Sequence, residues 1–218
     1  MKCYCYETET EFVLCVEGAE GAAEENVREA WFQKVGTRYI KPYPKGMPDD
    51  GFEAEDRELI SRNFPRLGPA MFEGGSDWRD ALLQFAQTCS RHGIEWYLFG
   101  SASEAVRGVN VRPQDIDIIV HTRDFFRVKR LFLDSTIEPF VDNKGTWLVR
   151  YFGRLCLGGF MVDVAADEKM NRENHQYDEA LWNGYRLLLE PLQARYQTEL
   201  QRNRQDRIRA IEAYMQES

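Results

Sequence analysis

The segment Asp115-Ile116-Asp117-Ile118-Ile119-Val120 constrains this chain more than any other. Its alternation at a period of two predicts a strand over Ile116–His121, with Ile116 and Ile118 entering a core while Asp115 and Asp117 share the opposite face. On such a strand their Cα atoms lie about 6.5–7 Å apart. Two carboxylates held this close repel one another unless a cation lies between them. The pattern therefore points to Mg²⁺, and the spacing suits a pair of ions about 3.5–4 Å apart.

Upstream, Ile94 to Phe99 is a short, mostly apolar strand ending at Gly100-Ser101, and Ala102 to Arg107 reads as a brief helical turn. Backbone N–H groups become available to phosphate at such a junction; Gly100 allows close approach and Ser101 adds a hydroxyl. Arg107 and Arg112 lie between this bend and the acids, as candidates either to reach phosphate oxygens or to face solvent. A third acid, Asp163, interrupts the apolar run Phe160-Met161-Val162-Asp163-Val164-Ala165. A lone acid on a core strand is costly. It becomes reasonable if Asp163 shares the metal site and accepts a proton from an attacking hydroxyl, with Asp167 the alternative.

In order and spacing, Phe99-Gly100-Ser101, Asp115-Ile116-Asp117-Ile118 and Val162-Asp163-Val164 resemble the signature of the DNA-polymerase-β-like nucleotidyltransferase superfamily. Around Arg112-Pro113-Gln114-Asp115-Ile116-Asp117 the chain looks most like the small aminoglycoside and lincosamide nucleotidyltransferases. It is also similar to toxins of the abortive-infection type. The resemblance implies an α+β nucleotidyltransferase fold, with a mixed five-stranded sheet flanked by helices. It also implies transfer of an NMP unit from an NTP, expected to be ATP, to a hydroxyl acceptor with release of pyrophosphate. Asp115 and Asp117 would bind two Mg²⁺ ions, and Asp163 would be the third ligand or the base. Two departures stand out: Gly100-Ser101 replaces the Gly-Gly of many antibiotic-modifying relatives, and the first 75 residues match no part of that pattern.

Those 75 residues read as an accessory α/β layer. It has a strand over Glu11–Val16, a helix over Ala22–Lys34, a strand over Gly36–Tyr43, a turn-rich stretch from Pro44 to Gly51 and a polar helix over Glu53–Asn63. Gly68-Pro69 and Gly74-Gly75 suggest a boundary near 75. Residues 76–170 would be the catalytic core and 171–218 a helical C-terminus. Ser76 or Asp77 can cap a helix carrying Trp78, Leu82, Phe85 and Cys89, stopped by Gly93. Further on, Thr122 to about Leu133 predicts a helix, Thr146–Phe152 and Gly159–Ala165 strands, Tyr185–Leu189 a short strand, and Arg195–Gln216 two solvated helices.

Composition narrows the function classes. A net charge of −8 argues against general affinity for nucleic acid, although a specific RNA acceptor stays open. No apolar run is long enough for a membrane span and no secretory signal is visible, so a cytoplasmic location is expected. Five scattered cysteines give no disulfide framework, and Cys3 and Cys5 read as alternating strand residues. Trp31, Trp78, Trp96, Trp147 and Trp182 include candidate base-stacking platforms, with buried packing the simpler reading for most. For Arg38, Lys41 and Lys45, and for the arginines of 202–209, an ordinary solvated surface is simpler than a phosphate clamp. His121 reads as an end-of-strand polar residue. The alternatives to an enzyme are a non-catalytic nucleotide-binding or antitoxin-like partner with the same fold, and an interaction protein whose acids form surface ion pairs.

Overall fold

Residues 1–46, 52–147, 149–167 and 176–217 are described by the computed structural model of the chain. Near the start, short apolar runs pair into a four-stranded antiparallel sheet of order β1-β2-β4-β3. Its strands are β1 (Lys2–Glu7), β2 (Glu11–Glu17), β3 (Gln33–Val35) and β4 (Arg38–Pro44). Cys3 and Cys5 alternate on β1, and all five cysteines are free thiols. Between β2 and β3 runs α1 (Ala22–Glu29). It is shorter than the Ala22–Lys34 helix expected, because Gln33–Val35 pairs with Arg38–Ile40 instead.

After the loop, whose residues 47–51 lie outside the described segments, α2 runs from Ala54 to Glu73. This corrects the expected short helix ending at Asn63, since Pro65 and Pro69 both sit inside α2 and the stop comes at Gly74, in a left-handed conformation. A proline within a helix removes a hydrogen bond and crowds the preceding turn. Tertiary packing offsets this here. Ile60, Phe64, Met71 and Phe72 are buried among Phe12, Leu14 and Phe32, and α2 packs against both β1 and a strand of the second sheet.

That second sheet is mixed and has seven strands, two more than the five implied by the resemblance. In chain order its elements are α3 (Trp78–Arg91), β5 (Trp96–Phe99), α4 (Gly100–Arg107), β6 (Ile116–His121) and α5 (Thr122–Leu131), then β7 (Thr136–Asp142), β8 (Tyr151–Leu157), β9 (Phe160–Asp167), β10 (Asp178–Trp182) and β11 (Tyr185–Leu189). The helices α6 (Leu192–Gln201) and α7 (Gln205–Glu217) close the chain. Strand order is β10-β11-β5-β6-β9-β8-β7, with β11/β5 and β6/β9 parallel and the other pairs antiparallel. Of the two cap candidates it is Asp77 that caps α3, accepting the Arg79 N–H; Ile116 and Ile118 are buried as expected, and Val120 with them.

In the second sheet two strands, β7 and β10, were not foreseen, and one was misplaced. The strand at Thr136–Asp142 contains Pro139 and Glu138, and a proline demotes a strand unless it lies at an edge or bulge. β7 is an edge strand whose register slips between Glu138 and Val141. The strand expected over Thr146–Phe152 begins only at Tyr151, and its residue 148 is outside the described segments. The short strand expected at Tyr185–Leu189 is β11, and before it the hairpin partner β10 was not foreseen, residues 171–175 again lying outside the described segments. Arg195–Gln216 does form two helices, although Arg195, Glu199, Ile208 and Ile211 are buried rather than solvated. No described helix is long and apolar enough to cross a membrane.

Candidate active site

Strand pairing places the acids. Asp117 of β6 is the register partner of Phe99 on one side and of Asp163 on the other. Asp115 sits one residue before β6. The three side chains each offer an oxygen, and these oxygens lie within 4.8 Å of one another. Asp167 is set apart, alongside His121 at the far end of the parallel pair. His121 caps α5, accepting the Arg123 N–H.

The cluster is electrostatically frustrated. Burial, and then the neighbouring Asp163 charge, push the Asp115 carboxyl from its ordinary 3.8 to about 6. Burial, and then the charges of Asp115 and Asp163, drive Asp117 well above the carboxylate range. A donor set of three hard oxygens that repel one another fits a divalent cation, which would remove the repulsion.

Gly100 is fitted to Asp117. Its φ is +67°, and a Cβ added there would collide with Asp117 Oδ2. Gly100→Ala is therefore expected to displace the carboxylate and to strain the bend. The outcome is a loss of about 1–3 kcal/mol of stability together with loss of divalent-cation binding. Denaturant titration and Mg²⁺ calorimetry on the same variant check both effects, and an alanine variant that binds Mg²⁺ as the parent does would refute the fit. Gly100 also opens α4, whose first residues carry no side-chain cap. The Gly100 N–H donates to Glu190 Oε2 at 3.4 Å, and burial raises the Glu190 carboxyl to about 7. An acid thus stands where an anionic ligand would approach this bend.

A cleft of about 860 Å³ opens in front of Asp115 and Asp117. It is lined by Phe99, Gly100, Ser101, Gln114 and both acids at its base, Arg28, Glu29 and Trp31 on the N-terminal side, and Arg195, Arg202, Arg204, Gln205, Asp206 and Arg207 from the C-terminal helices. Arg107 and Arg112, the cations expected from the sequence, do not line it. The Arg107 guanidinium is committed to Asp178, the Ser103 carbonyl and the Glu190 carbonyl. Arg112 faces two other hollows, near Met71 and near Trp78. Instead the cations come from Arg28, which the sequence did not single out, and from the C-terminal arginines, for which a solvated surface was the simpler reading.

Asp163 has a partner the sequence reading missed. Arg154 grips both of its oxygens, Nε to Oδ1 at 2.5 Å and Nη2 to Oδ2 at 2.8 Å. The same guanidinium donates to Glu138 Oε1 at 2.7 Å and to the Ala30 carbonyl at 3.1 Å. Glu138 is also bound by Lys41 Nζ and by the Tyr43 hydroxyl, both at 2.6 Å. Burial alone would raise the Glu138 carboxyl, but the Arg154 and Lys41 charges hold it below its ordinary range. The available signal was a lone arginine in the apolar run Phe152-Gly153-Arg154-Leu155-Cys156-Leu157, the mirror image of the lone acid on β9. A carboxylate has about four lone-pair positions, so each Asp163 oxygen can still take a cation or a proton.

No protein-family model matches the sequence, and a search of curated proteins finds no relative. Among solved structures, the lincosamide antibiotic adenylyltransferase LnuA, in its lincomycin-bound form, is 12% identical. It aligns over 63% of this chain and 98% of its own, with a TM-score of 0.49. A Thermotoga maritima protein identified as a nucleotidyltransferase is 20% identical, over 63% of this chain and 91% of its own, with a TM-score of 0.45. The enzyme ANT(2″)-Ia, in complex with adenylyl-2″-tobramycin, is 7% identical, over 62% of this chain and 87% of its own, with a TM-score of 0.42. The solved structures similar to this chain include nucleotidyltransferases of the class that the Gly-Ser and Asp-apolar-Asp motifs resemble.

Proposed function

We propose that this chain is a Mg²⁺-dependent nucleotidyltransferase, moving an NMP unit from an NTP, ATP in the first instance, to a hydroxyl acceptor with release of pyrophosphate. The observation that carries it is the meeting of Asp115, Asp117 and Asp163 within 4.8 Å, at a cleft whose base includes Gly100 and Ser101. Asp115, Asp117 and Asp163 would hold the metal, and divalent ions there supply charge neutralisation to the attacking and leaving oxygens. Gly100 and Ser101, at the start of α4, receive the departing phosphates once Glu190 gives up the Gly100 N–H. Arg195 and Arg207 stand on that side through their pairs with Glu104 of α4. Asp163, held in one orientation by Arg154, takes the proton of the acceptor hydroxyl. Residues 1–75 serve as the acceptor-side layer and 76–170 as the catalytic core, while 171–218 add the hairpin β10–β11 to the sheet and supply the closing helices α6 and α7.

Incubation with α-labelled NTPs, Mg²⁺ and a panel of hydroxyl acceptors tests the reading, with Asp115→Asn as the inactive control. Equal labelling by the control would rule it out. One observation favours a second reading, a non-catalytic nucleotide-binding partner: the bidentate Arg154–Asp163 pair already neutralises one of the three acids. Calorimetry with ATP and Mg²⁺ separates the two, because tight binding with no product under any acceptor supports the second.

A further inference from the structure

Trp31 lines the cleft and is 63% exposed, whereas Trp78 and Trp96 are buried. Its φ is +69°, a conformation that bulky residues rarely adopt. This is the left-handed stop that ends α1: the Trp31 N–H donates to the Arg28 carbonyl and the Phe32 N–H to the Val27 carbonyl, while the Ala30 carbonyl accepts from Lys41 Nζ at 3.0 Å and Arg154 Nη1 at 3.1 Å. The indole lies parallel to Phe152 of β8, at 6.4 Å between centroids and 8° between planes. A left-handed helix stop usually falls to glycine, and the large ring placed here is held out of the core on the wall of the cleft, where a ligand can use it.

Sheet order says which ligand. Gly100-Ser101 follows β5, and the strands then run β6, β9, β8, so Phe152 and Trp31 stand beyond Asp117 and Asp163 from the phosphate bend. In-line displacement puts the attacking oxygen opposite the departing pyrophosphate. If pyrophosphate leaves at Gly100-Ser101, the acceptor enters on the Trp31 side. Charge narrows its chemistry. Arg204 is close enough for its charge to act on Glu29, two residues from Trp31, and Arg202 makes no ion pair among the described residues. The arginines at 28, 195, 202, 204 and 207 share the walls of the cleft with Glu29, Asp115, Asp117 and Asp206, so once metal ions neutralise the two aspartates at its base it suits an anion better than a polycationic sugar.

We propose that the acceptor is a nucleotide, its base stacked on Trp31 and its phosphate taken by Arg202 and Arg204. This rests on the transferase reading above. A ribose hydroxyl oxygen forms the new bond to the α-phosphorus as the bond from that phosphorus to the bridging oxygen breaks. The hydroxyl proton passes to Asp163 and pyrophosphate leaves. The same chemistry is offered by a free mononucleotide and by the 3′ end of an RNA strand.

Binding separates these sources without turnover. The donor site is first filled with Mg²⁺ and an ATP analogue that cannot be cleaved between its α- and β-phosphates. AMP, or a five-nucleotide single-stranded RNA with a 3′-deoxy end, is then titrated in. At least one probe is expected to bind. Trp31→Ala should weaken it about tenfold and Trp31→Phe should retain most of the affinity. Arg202→Glu with Arg204→Glu should weaken it further and flatten its salt dependence. Trp31→Ala should leave the affinity for the ATP analogue unchanged. Binding of RNA but not AMP assigns a strand end, and binding of AMP assigns the free nucleotide. If neither probe binds the donor-filled protein, or Trp31→Ala binds as the parent does, the acceptor assignment is overturned. It is overturned also if the variant loses the ATP analogue equally, which would give Trp31 to the donor base. Failure of the parent to bind the ATP analogue with Mg²⁺ is a different result, which removes the transferase reading itself.

Discussion

Replacing Asp117 by asparagine should abolish NMP transfer while making the metal-free protein more resistant to heat. Residues that merely orient a metal ligand are worth about 10–100-fold in activity, so loss of a ligand should exceed that range. The stability gain has a separate origin. Burial pushes the Asp115 carboxyl from 3.8 to about 6, aided by the Asp163 charge. Between those values the folded chain therefore binds more protons than the unfolded one, and stability falls as pH rises through the window. Above it the charged cluster opposes folding until a cation arrives. Removing one charge with Asp117→Asn relieves that opposition, so at pH 8 in EDTA the variant should melt above the parent. Mg²⁺ should reverse the order. At a Mg²⁺ concentration 100 times its Kd the parent gains about 2.7 kcal/mol, and the variant gains little. Melting curves with and without Mg²⁺ from pH 5 to 8 check this. A parent whose melting temperature ignores Mg²⁺ at pH 8 would refute the metal site.

Arg154→Met should produce the largest loss of stability of any single change considered for this chain. The arginine is 2% exposed and joins Asp163, Glu138 and the Ala30 carbonyl. Methionine fills much of the same volume but leaves two carboxylates without their shared cation. Breaking a buried pair from one side costs about 3–5 kcal/mol. A second change, Glu138→Gln, removes one of the stranded charges, so the double variant should recover part of the loss. Urea unfolding of the parent, both single variants and the double variant measures the coupling. A loss below about 1 kcal/mol in Arg154→Met would show that the network is not carrying the interface. Transfer should fall as well, since Asp163 and the turn before Trp31 lose their common anchor.

What the sequence disclosed of all this follows the range of the interactions. Alternation at Asp115–Val120 and around Asp163 depends on nearest neighbours, so the strand, its buried face and the meeting of the acids could be read directly. The mixed sheet flanked by helices was implied by the family resemblance, and the helices α6 and α7 by the polar spacing of Arg195–Gln216. Glu138 was not legible, because its partners Lys41, Tyr43 and Arg154 come from distant parts of the chain and a buried acid beside Pro139 disguised the strand. Pro65 and Pro69 misled for a related reason: local propensity argues for a break, and packing between two sheets overrules it. The arginines at 202, 204 and 207 look like any solvated helix surface until the chain folds them over the cleft.

The Arg154 junction has a consequence for how sequences of this kind can drift. Lys41 and the Ala30 carbonyl belong to the first layer, Glu138 to an edge strand and Asp163 to the cluster of acids, yet one side chain ties them together. A descendant that shed the first layer would leave that guanidinium short of partners, and one that lost the guanidinium would leave Glu138 and Asp163 opposing each other across the gap. Change at these positions is therefore expected to arrive as compensated sets, with the first layer and the arginine inherited or discarded together.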